Sequence, residues 1–363
     1  MKLLFLSDGL PPFVLGGMQQ HSLMMVKHLA PLVEEITLLY CGLPNEPPPQ
    51  ASVVLKLLGN PVNVKVIGVE FQDNSFLPGH YVRASIHYSS KLLFAIKESL
   101  SSYDLVYAQG FTGYAFLGRH DNLVSNLHGL NMFQKSFSIR ELIEKTILRK
   151  IARIILLKSS YCISLGGKLT DILLGLGVER IIVSPNGVDD KWIYNSWTKK
   201  EGKIRLVFIG RNDTMKGFSI LLESLEQSKD RVSLDVIGPW PEIKITPHDL
   251  SFYGEIKSKE RVFEIIDNAD VLVVPSLSEG MPTVILEAMA RGKAIIATDV
   301  GAVSDLVSDE NGVLIEPGSV EAMTHAIEKI NTIDLQKASI ASIQHVKKFV
   351  WQRVVKNLLK EFI

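Results

Sequence analysis

A chain of 363 residues is longer than one hydrophobic core usually spans, so two domains of ordinary size are expected. Hydrophobic residues make up 46% and charged residues 21%, globular values that exclude a disordered chain, a collagen-like repeat and a supercharged tail. Lys+Arg and Asp+Glu each number 39, and the resulting net charge of zero argues against a nucleic-acid binder.

The N-terminal run MKLLFLSDG is broken by Asp8 too early for a signal peptide, and no small-residue cleavage site follows. Strand-length apolar runs then alternate with amphipathic stretches, the pattern of helices crossing over a parallel sheet. In the first half the strands fall at Lys2 to Ser7, Glu35 to Cys41, Val62 to Val69, Asp104 to Ala108, Asn122 to His128, Tyr161 to Ser164 and Arg180 to Ser184. Helical patterns cover Gly17 to Ala30 and Ala84 to Leu100, and the Pro-rich stretch Pro44 to Pro49 reads as a surface loop. Cys41 and Cys162 are far apart with no metal-ligand spacing, so neither a disulfide framework nor zinc is expected and a reducing compartment fits. No stretch reaches the ~18 apolar residues of a spanning helix. The chain is therefore expected in the cytoplasm, or at most peripheral on the inner face of a membrane.

Arg140 to Lys158 carries six basic and two acidic residues. Ile143, Ile147, Ile151, Ile154 and Ile155 form one helical face, while Lys145, Arg149 and Arg153 recur every four residues on another. This helix fits contact with anionic lipid, and equally a core helix with a solvated basic face. Residues 1 to 180 hold 17 basic and 13 acidic side chains, and the remainder 22 and 26, so the first half is the positive one. A polar, Pro- and Gly-containing run at Pro185 to Gly202 marks the join. The expected division is a first domain at 1–187, a second at 188–348 and a terminal helix at 349–363. Second-half strands fall at Ile204 to Gly210, Val232 to Ile237, Asp270 to Pro275, Lys293 to Thr298 and Gly312 to Ile315. Two doubly wound α/β units in tandem account for the whole pattern.

Three strand-to-helix transitions could carry chemistry. In PSLSEGMPTVILEAMARGK a helix is expected to start with Pro282 at its first position, exposing the N–H groups of Met281, Thr283 and Val284 to a phosphate. Glu279 before that helix and Glu287 a turn inside it suit sugar and ribose hydroxyls, though both also fit a solvated acid and an intrahelical pair. In FIGRNDTMKGF, Arg211 and Lys216 follow Gly210 at the same sheet edge and can meet a diphosphate, as a planar fork and as a point charge. In SDGLPPFVLGGMQQH, Gly16 and Gly17 permit close backbone approach, as a plain tight turn also would. His128 ends its strand in SNLHGLN and reads either as structural or as a site residue. The chain has no DxD, HExxH, GxSxG or Walker lysine loop, which leaves metal hydrolysis, serine hydrolysis and P-loop phosphoryl transfer without support.

The segments GRNDTMKGF, SFYGEI, SEGMPTVILEAMARGKAIIATDVGAVSDLV and NGVLIEPGS, with GGMQQHSLMMVKHLA, LHG and VERIIVSPNGVD upstream, resemble the retaining glycosyltransferases of family 4. The most specific part is the glutamate pair, Glu279 and Glu287, with seven residues between them. The resemblance covers nearly the whole chain and implies the GT-B fold, two Rossmann-like domains facing a central cleft. It implies transfer of a sugar from a nucleoside-diphosphate sugar, UDP-sugar before GDP-sugar, without metal or cofactor. The acceptor would be a hydroxyl of a glycan or lipid-linked precursor, as in bacterial surface polysaccharide or lipopolysaccharide synthesis.

By the same resemblance Glu279 would lie against the donor sugar and Glu287 would bind the ribose. Arg211 and Lys216 would hold the diphosphate, assisted by the backbone at Gly280, Met281, Pro282, Thr283 and Val284 and by the turn at Gly210. Tyr253, Glu255 and Ile256 would lie by the base. Gly16 and Gly17 would reach the phosphates, and His128 would contact the sugar or reacting centre. WQRVVKNLLKEFI resembles the family's last helix, which crosses back to the first domain. Ala294 and Asp305 depart from a usual proline and glutamate, outside the donor segments. A GT-B-fold nucleotide-sugar epimerase and a non-catalytic nucleotide-sugar binding module stay open beside this reading.

Overall fold

The computed structural model describes all residues except 74–78, 137–138, 199–201, 229–231, 244–248, 331 and 363, and excludes the side chains of 139–141, 143 and 144. The chain forms two compact units, one of Met1–Leu165, Leu169–Pro185 and Trp351–Ile363, the other of Gly166–Lys168 and Asn186–Val350.

The first unit holds a seven-stranded parallel sheet of β1 (Lys2–Leu6), β2 (Glu35–Tyr40), β3 (Val64–Gly68), β4 (Leu105–Gln109), β5 (Leu123–Asn126), β6 (Tyr161–Ser164) and β7 (Ile181–Val183). Its order is β3-β2-β1-β4-β5-β6-β7. The helices are α1 (Gly17–Leu29), α2 (Ala51–Leu58), α3 (His80–Ala95), α4 (Ile139–Lys158) and α5 (Lys168–Gly175), the last shared with the second unit through Lys168. The second unit has six parallel strands: β8 (Arg205–Ile209), β9 (Ser233–Ile237), β10 (Asp249–Phe252), β11 (Val271–Val274), β12 (Ala294–Thr298) and β13 (Gly312–Ile315). They lie in the order β10-β9-β8-β11-β12-β13. Its helices are α6 (Phe218–Gln227), α7 (Lys259–Asn268), α8 (Thr283–Ala290), α9 (Val320–Ile330) and α10 (Leu335–Val346). The doubly wound parallel α/β architecture expected from the sequence is thus present in both units.

Strands β1, β4, β11 and β12 are central and covered on both faces, so they read as unbroken apolar runs rather than alternating ones. Strand β10 was missed because it is a four-residue edge strand, DLSF, with no fully buried residue and hence no apolar run to detect. The expected helix at Ala84 to Leu100 begins four residues earlier, at His80, and ends at Ala95. The expected strand at Asn122 to His128 stops at Asn126.

After Val350 the chain returns to the first unit as α11 (Trp351–Lys360), which buries Trp351, Val354, Val355, Leu358 and Leu359 in that unit's core. Each such side chain contributes about 1.5–3 kcal/mol by its removal from water, enough together to fix a ten-residue helix that would be marginal alone.

The basic helix α4 differs from its pattern. Lys145 is buried, donating from Nζ to the carbonyl oxygens of Gln134 at 3.3 Å and Lys135 at 2.8 Å. Arg149 Nε donates to Met132 O at 2.5 Å. Lys145 is therefore turned away from solvent and Arg149 is tethered, both to carbonyls of the segment before α4. Ile155, Ala152 and Leu156 are buried, but Ile147, Ile154 and Leu157 are exposed beside Lys150 and Arg153. The Ile143 and Arg140 side chains lie outside the described residues. Phe133, Thr146, Arg149, Lys150, Arg153 and Leu176 line an open groove of about 500 Å³. Among the described residues no helix is long and apolar enough to cross a membrane.

Candidate functional site

In a doubly wound sheet the crevice beyond the carboxyl ends opens where the strand order reverses. In the second unit that point lies between β8 and β11. Strand β8 runs into Gly210 and Arg211, and β11 into Pro275 and the segment carrying Glu279.

The β8 loop is held in shape from several sides. Asp213 Oδ1 accepts from Met215 N at 2.9 Å and caps a one-turn helix, Thr214–Lys216. Gly217 follows at φ 67°, and a Cβ there would collide with Pro275 O, so only glycine fits. Leu277 N donates to Met215 O at 2.8 Å, joining this loop to the next. Trp240 Nε1 donates to Gly210 O at 2.8 Å, with its ring packed on Phe208 and Phe218.

This framework brings Lys216 Nζ to 2.6 Å from Glu279 Oε1, which also accepts from Ser276 Oγ at 2.7 Å. Glu279 is 11% exposed and Lys216 25%, so the pair is partly screened from water but open on one side. Arg211 is exposed and has no ion-pair partner among the described residues. The Glu279 segment is clamped in turn. Asn186 Nδ2 donates to Met281 O at 2.7 Å, Ala302 N to Gly280 O at 2.8 Å, and Thr298 Oγ1 to Ser276 O at 2.5 Å.

Helix α8 begins at Thr283, one residue later than expected. Pro282 is its N-cap, with ψ of 116°, and its carbonyl accepts from Ile285 N at 3.2 Å. The N–H groups of Met281, Thr283 and Val284 donate to nothing among the described residues and stay free at the positive end of the helix. Glu287, in the second turn of α8, pairs with Lys259 Nζ at 2.9 Å, from the first residue of α7. Tyr253 follows edge strand β10, half exposed, and its Oη donates to Asp235 Oδ1 at 3.2 Å. Burial and the Asp235 carboxylate raise the Tyr253 pKa. Glu255 is exposed and Ile256 partly so. The structure thus gathers Gly210, Lys216, Glu279 and the α8 N-terminus at one point of the sheet edge, with Tyr253 just past the last strand of that sheet.

At the same position in the first unit, between β1 and β4, the structure places groups that sequence reasoning passed over. Asp8 follows β1, and its Oδ1 accepts from Gln19 Nε2 at 3.1 Å. Burial raises its pKa to about 7 against the lowering effect of hydrogen bonds from its own backbone, Gln19 and Tyr81. A Cβ at Gly16 would meet only the end of the Gln19 side chain, which folds back across it, and nothing lies within 4 Å of a Cβ at Gly17. His128 stands two residues past β5 in a left-handed conformation, φ 56°, fixed by its N–H donating to Asn126 Oδ1 at 2.9 Å. Burial lowers its pKa to about 3. Gln109, the last residue of β4, bonds both His128 and His21. A polar residue ending an apolar strand was the one signal available for it. Among the described residues no group of three or more His, Cys, Asp or Glu is placed to hold a metal ion.

The sequence model described as Glycosyltransferase Family 4 matches residues 15–192, and that described as Glycosyl transferases group 1 matches residues 203–332. TuaC of Bacillus subtilis, named for glycosyl transfer in teichuronic acid biosynthesis, is 33% identical over 157 residues, 40% of each chain. The chain spans about half the length, or less, of the curated relatives it matches. Sucrose-phosphate synthase of Thermosynechococcus elongatus superposes with a TM-score of 0.79 at 17% identity, over 99% of this chain and 98% of that one. HepE of Anabaena, solved with UDP-glucose, superposes at 0.69 and 18% identity over 99% of both chains. At such identities these likenesses establish the fold.

Proposed function

Since this chain belongs to the family 4 glycosyltransferases, we propose that it moves a sugar, with retention and without a metal, from a nucleoside-diphosphate sugar to a hydroxyl of a glycan or lipid-linked acceptor. The observation that carries this reading is the Lys216–Glu279 pair beside the free N–H groups of Met281, Thr283 and Val284 at the switch point of the second sheet. A departing diphosphate gains negative charge as its bond to the sugar breaks. Fixed cations and a helix N-terminus lower the barrier there because they need no reorganisation. Lys216 and the exposed Arg211 supply the cations.

Glu279, oriented by Ser276 and Lys216, accepts hydroxyls of the donor sugar, and Glu287, oriented by Lys259, accepts those of the ribose. The Tyr253 to Ile256 segment lies by the base. Gly16 and Gly17 offer backbone N–H groups to phosphate. The acceptor hydroxyl attacks the face that the phosphate leaves, and its proton passes to the departing oxygen, so no protein nucleophile is needed. His128 meets a hydroxyl of the sugar substrate.

UDP is the favoured base, supported by the UDP-glucose complex of the structurally similar HepE. A surface-polysaccharide acceptor is supported by the naming of TuaC. An anionic or lipid-linked acceptor, with the protein peripheral on the cytoplasmic face of the membrane, is supported by Lys150, Arg153 and the exposed Ile147, Ile154 and Leu157 of α4.

A thermal-shift panel of UDP-, GDP-, ADP- and CMP-sugars, followed by an assay for free nucleoside diphosphate, tests the proposal. One donor should raise Tm, and its nucleotide should be released when an acceptor-containing extract is added. A shift without nucleotide release under any condition would leave a binding module, and a new sugar nucleotide formed from donor alone would mean an epimerase.

A further inference from the structure

We propose that Gln109 is the positioning residue that fixes which ring nitrogen of His128 carries the proton, leaving Nδ1 as an acceptor for a substrate hydroxyl. The inference rests on the place given to His128 in the transfer reaction above.

Gln109 is fully buried at the end of β4, and the two ends of its amide serve two histidines. Its Oε1 makes a short hydrogen bond to His128 Nε2, and its Nε2 lies 2.9 Å from His21 Nδ1. An amide oxygen only accepts and an amide nitrogen only donates. His128 therefore carries its proton on Nε2, and His21 leaves Nδ1 bare and carries its proton on Nε2. The chain of donors runs one way, from His128 through Gln109 to His21.

The surroundings allow little else. The two imidazoles meet edge to face with centroids 4.9 Å apart, and His21 packs against Trp351 at 5.4 Å. His21 is 2% exposed, and its Nε2 has no hydrogen-bond partner among the described residues. With the proton on Nε2 that N–H is buried and unpaired, which is a cost; the other tautomer would set Nδ1–H against the Gln109 amide N–H, two donors face to face, and would lose the bond from Gln109 as well, so the bond to Nδ1 selects this arrangement. Asn126 sets the root of the His128 ring through the His128 N–H, and its Nδ2 donates to Tyr107 Oη at 3.2 Å. Burial holds both rings neutral, with the neighbouring His128 a further cause at His21. A neutral imidazole without this amide would exchange between tautomers and present Nδ1–H, a donor, for part of the time. The amide thus decides whether the exposed side of the ring accepts or donates.

Long-range ¹H–¹⁵N spectra of the full-length protein, with His21→Phe and His128→Gln used for assignment, read the tautomers directly. In the wild type, His128 should be protonated on Nε2 and bare on Nδ1, with His21 the same. In Gln109→Glu the carboxylate has no N–H to give, so His21 should move its proton to Nδ1 while His128 stays locked. In Gln109→Leu both rings should lose their single-tautomer signature. With the donor chosen by the nucleotide panel, Gln109→Leu should lower kcat about tenfold with KM within about twofold, and Gln109→Glu should recover part of that loss. A wild-type His128 protonated on Nδ1 would overturn the proposal, and this reading needs no Gln109 variant to fold. Unchanged ring nitrogens in folded Gln109→Glu and Gln109→Leu would overturn it too. Because the spectra need no substrate, failure to turn over any nucleotide sugar would remove the transfer reading and leave the tautomer result intact.

Discussion

At the carboxyl edge of the second sheet Lys216 and Lys259 meet Glu279 and Glu287 in ion pairs open to solvent on one side. At the matching edge of the first sheet Asp8, His21 and His128 are bonded to glutamines, Gln19 and Gln109, and burial pushes each toward its neutral form. The strand order around the two points is the same, so topology does not set this difference. Desolvation does. A titratable group given an amide partner and little water favours the neutral state, while one given an opposite charge and partial exposure need not.

The largest effect should come from breaking the neutral edge. Asp8 in the folded chain holds its proton up to about pH 7, above its unfolded value, so its contribution to stability is complete below pH ~4, falls as pH rises, and is fully lost above about 7. Asp8→Asn removes that loss. Its gain over wild type, read by denaturant melts, should grow from pH 4 to 7 up to about 4 kcal/mol, and a pH-independent difference would contradict the neutral assignment.

At the charged edge, Lys216→Ala should weaken the best nucleotide sugar about 100-fold in calorimetry, or about 2.8 kcal/mol. Unchanged affinity would remove the diphosphate site. His128→Ala should separate the two edges, lowering turnover about 30-fold while donor affinity stays within about twofold. Glu287→Ala should weaken donor binding about tenfold and Lys259→Met about threefold, because Lys259 only orients the carboxylate. A double-mutant cycle showing no coupling would mean that Glu287 needs no such help.

The last test concerns α4, away from both edges. Charge reversal should be made at Lys150 and Arg153, not at the buried Lys145 or the tethered Arg149. Flotation with anionic liposomes at low salt should fall by about 1 kcal/mol per reversed charge. Equal flotation would leave α4 an ordinary helix of the α/β layer.

Much of this molecule was legible in one dimension. The buried strands betray themselves because a strand covered on both faces must be apolar throughout, and Gly210, Gly217 and Pro282 mark the strand-to-helix turns. Glu279, Glu287, Arg211 and Lys216 were singled out because charged residues beside such turns stand out against an apolar background. What failed did so for definite reasons. Strand β10 is an exposed edge strand with no run to see, and the basic stripe of α4 has the right period but cannot reveal that Lys145 turns inward to loop carbonyls ten and eleven residues away.

The amino-acid sequence by itself determined the two doubly wound units and the residues at the charged edge, because periodicity and turn chemistry act over a few neighbours. Only the tertiary structure decided the partners. Lys216 meets Glu279 across 63 residues, Lys259 meets Glu287 from another helix, and Gln109 meets His21 across 88. Whether each group is exposed or buried, and so what charge it carries, depends on these long-range contacts and on the water they exclude.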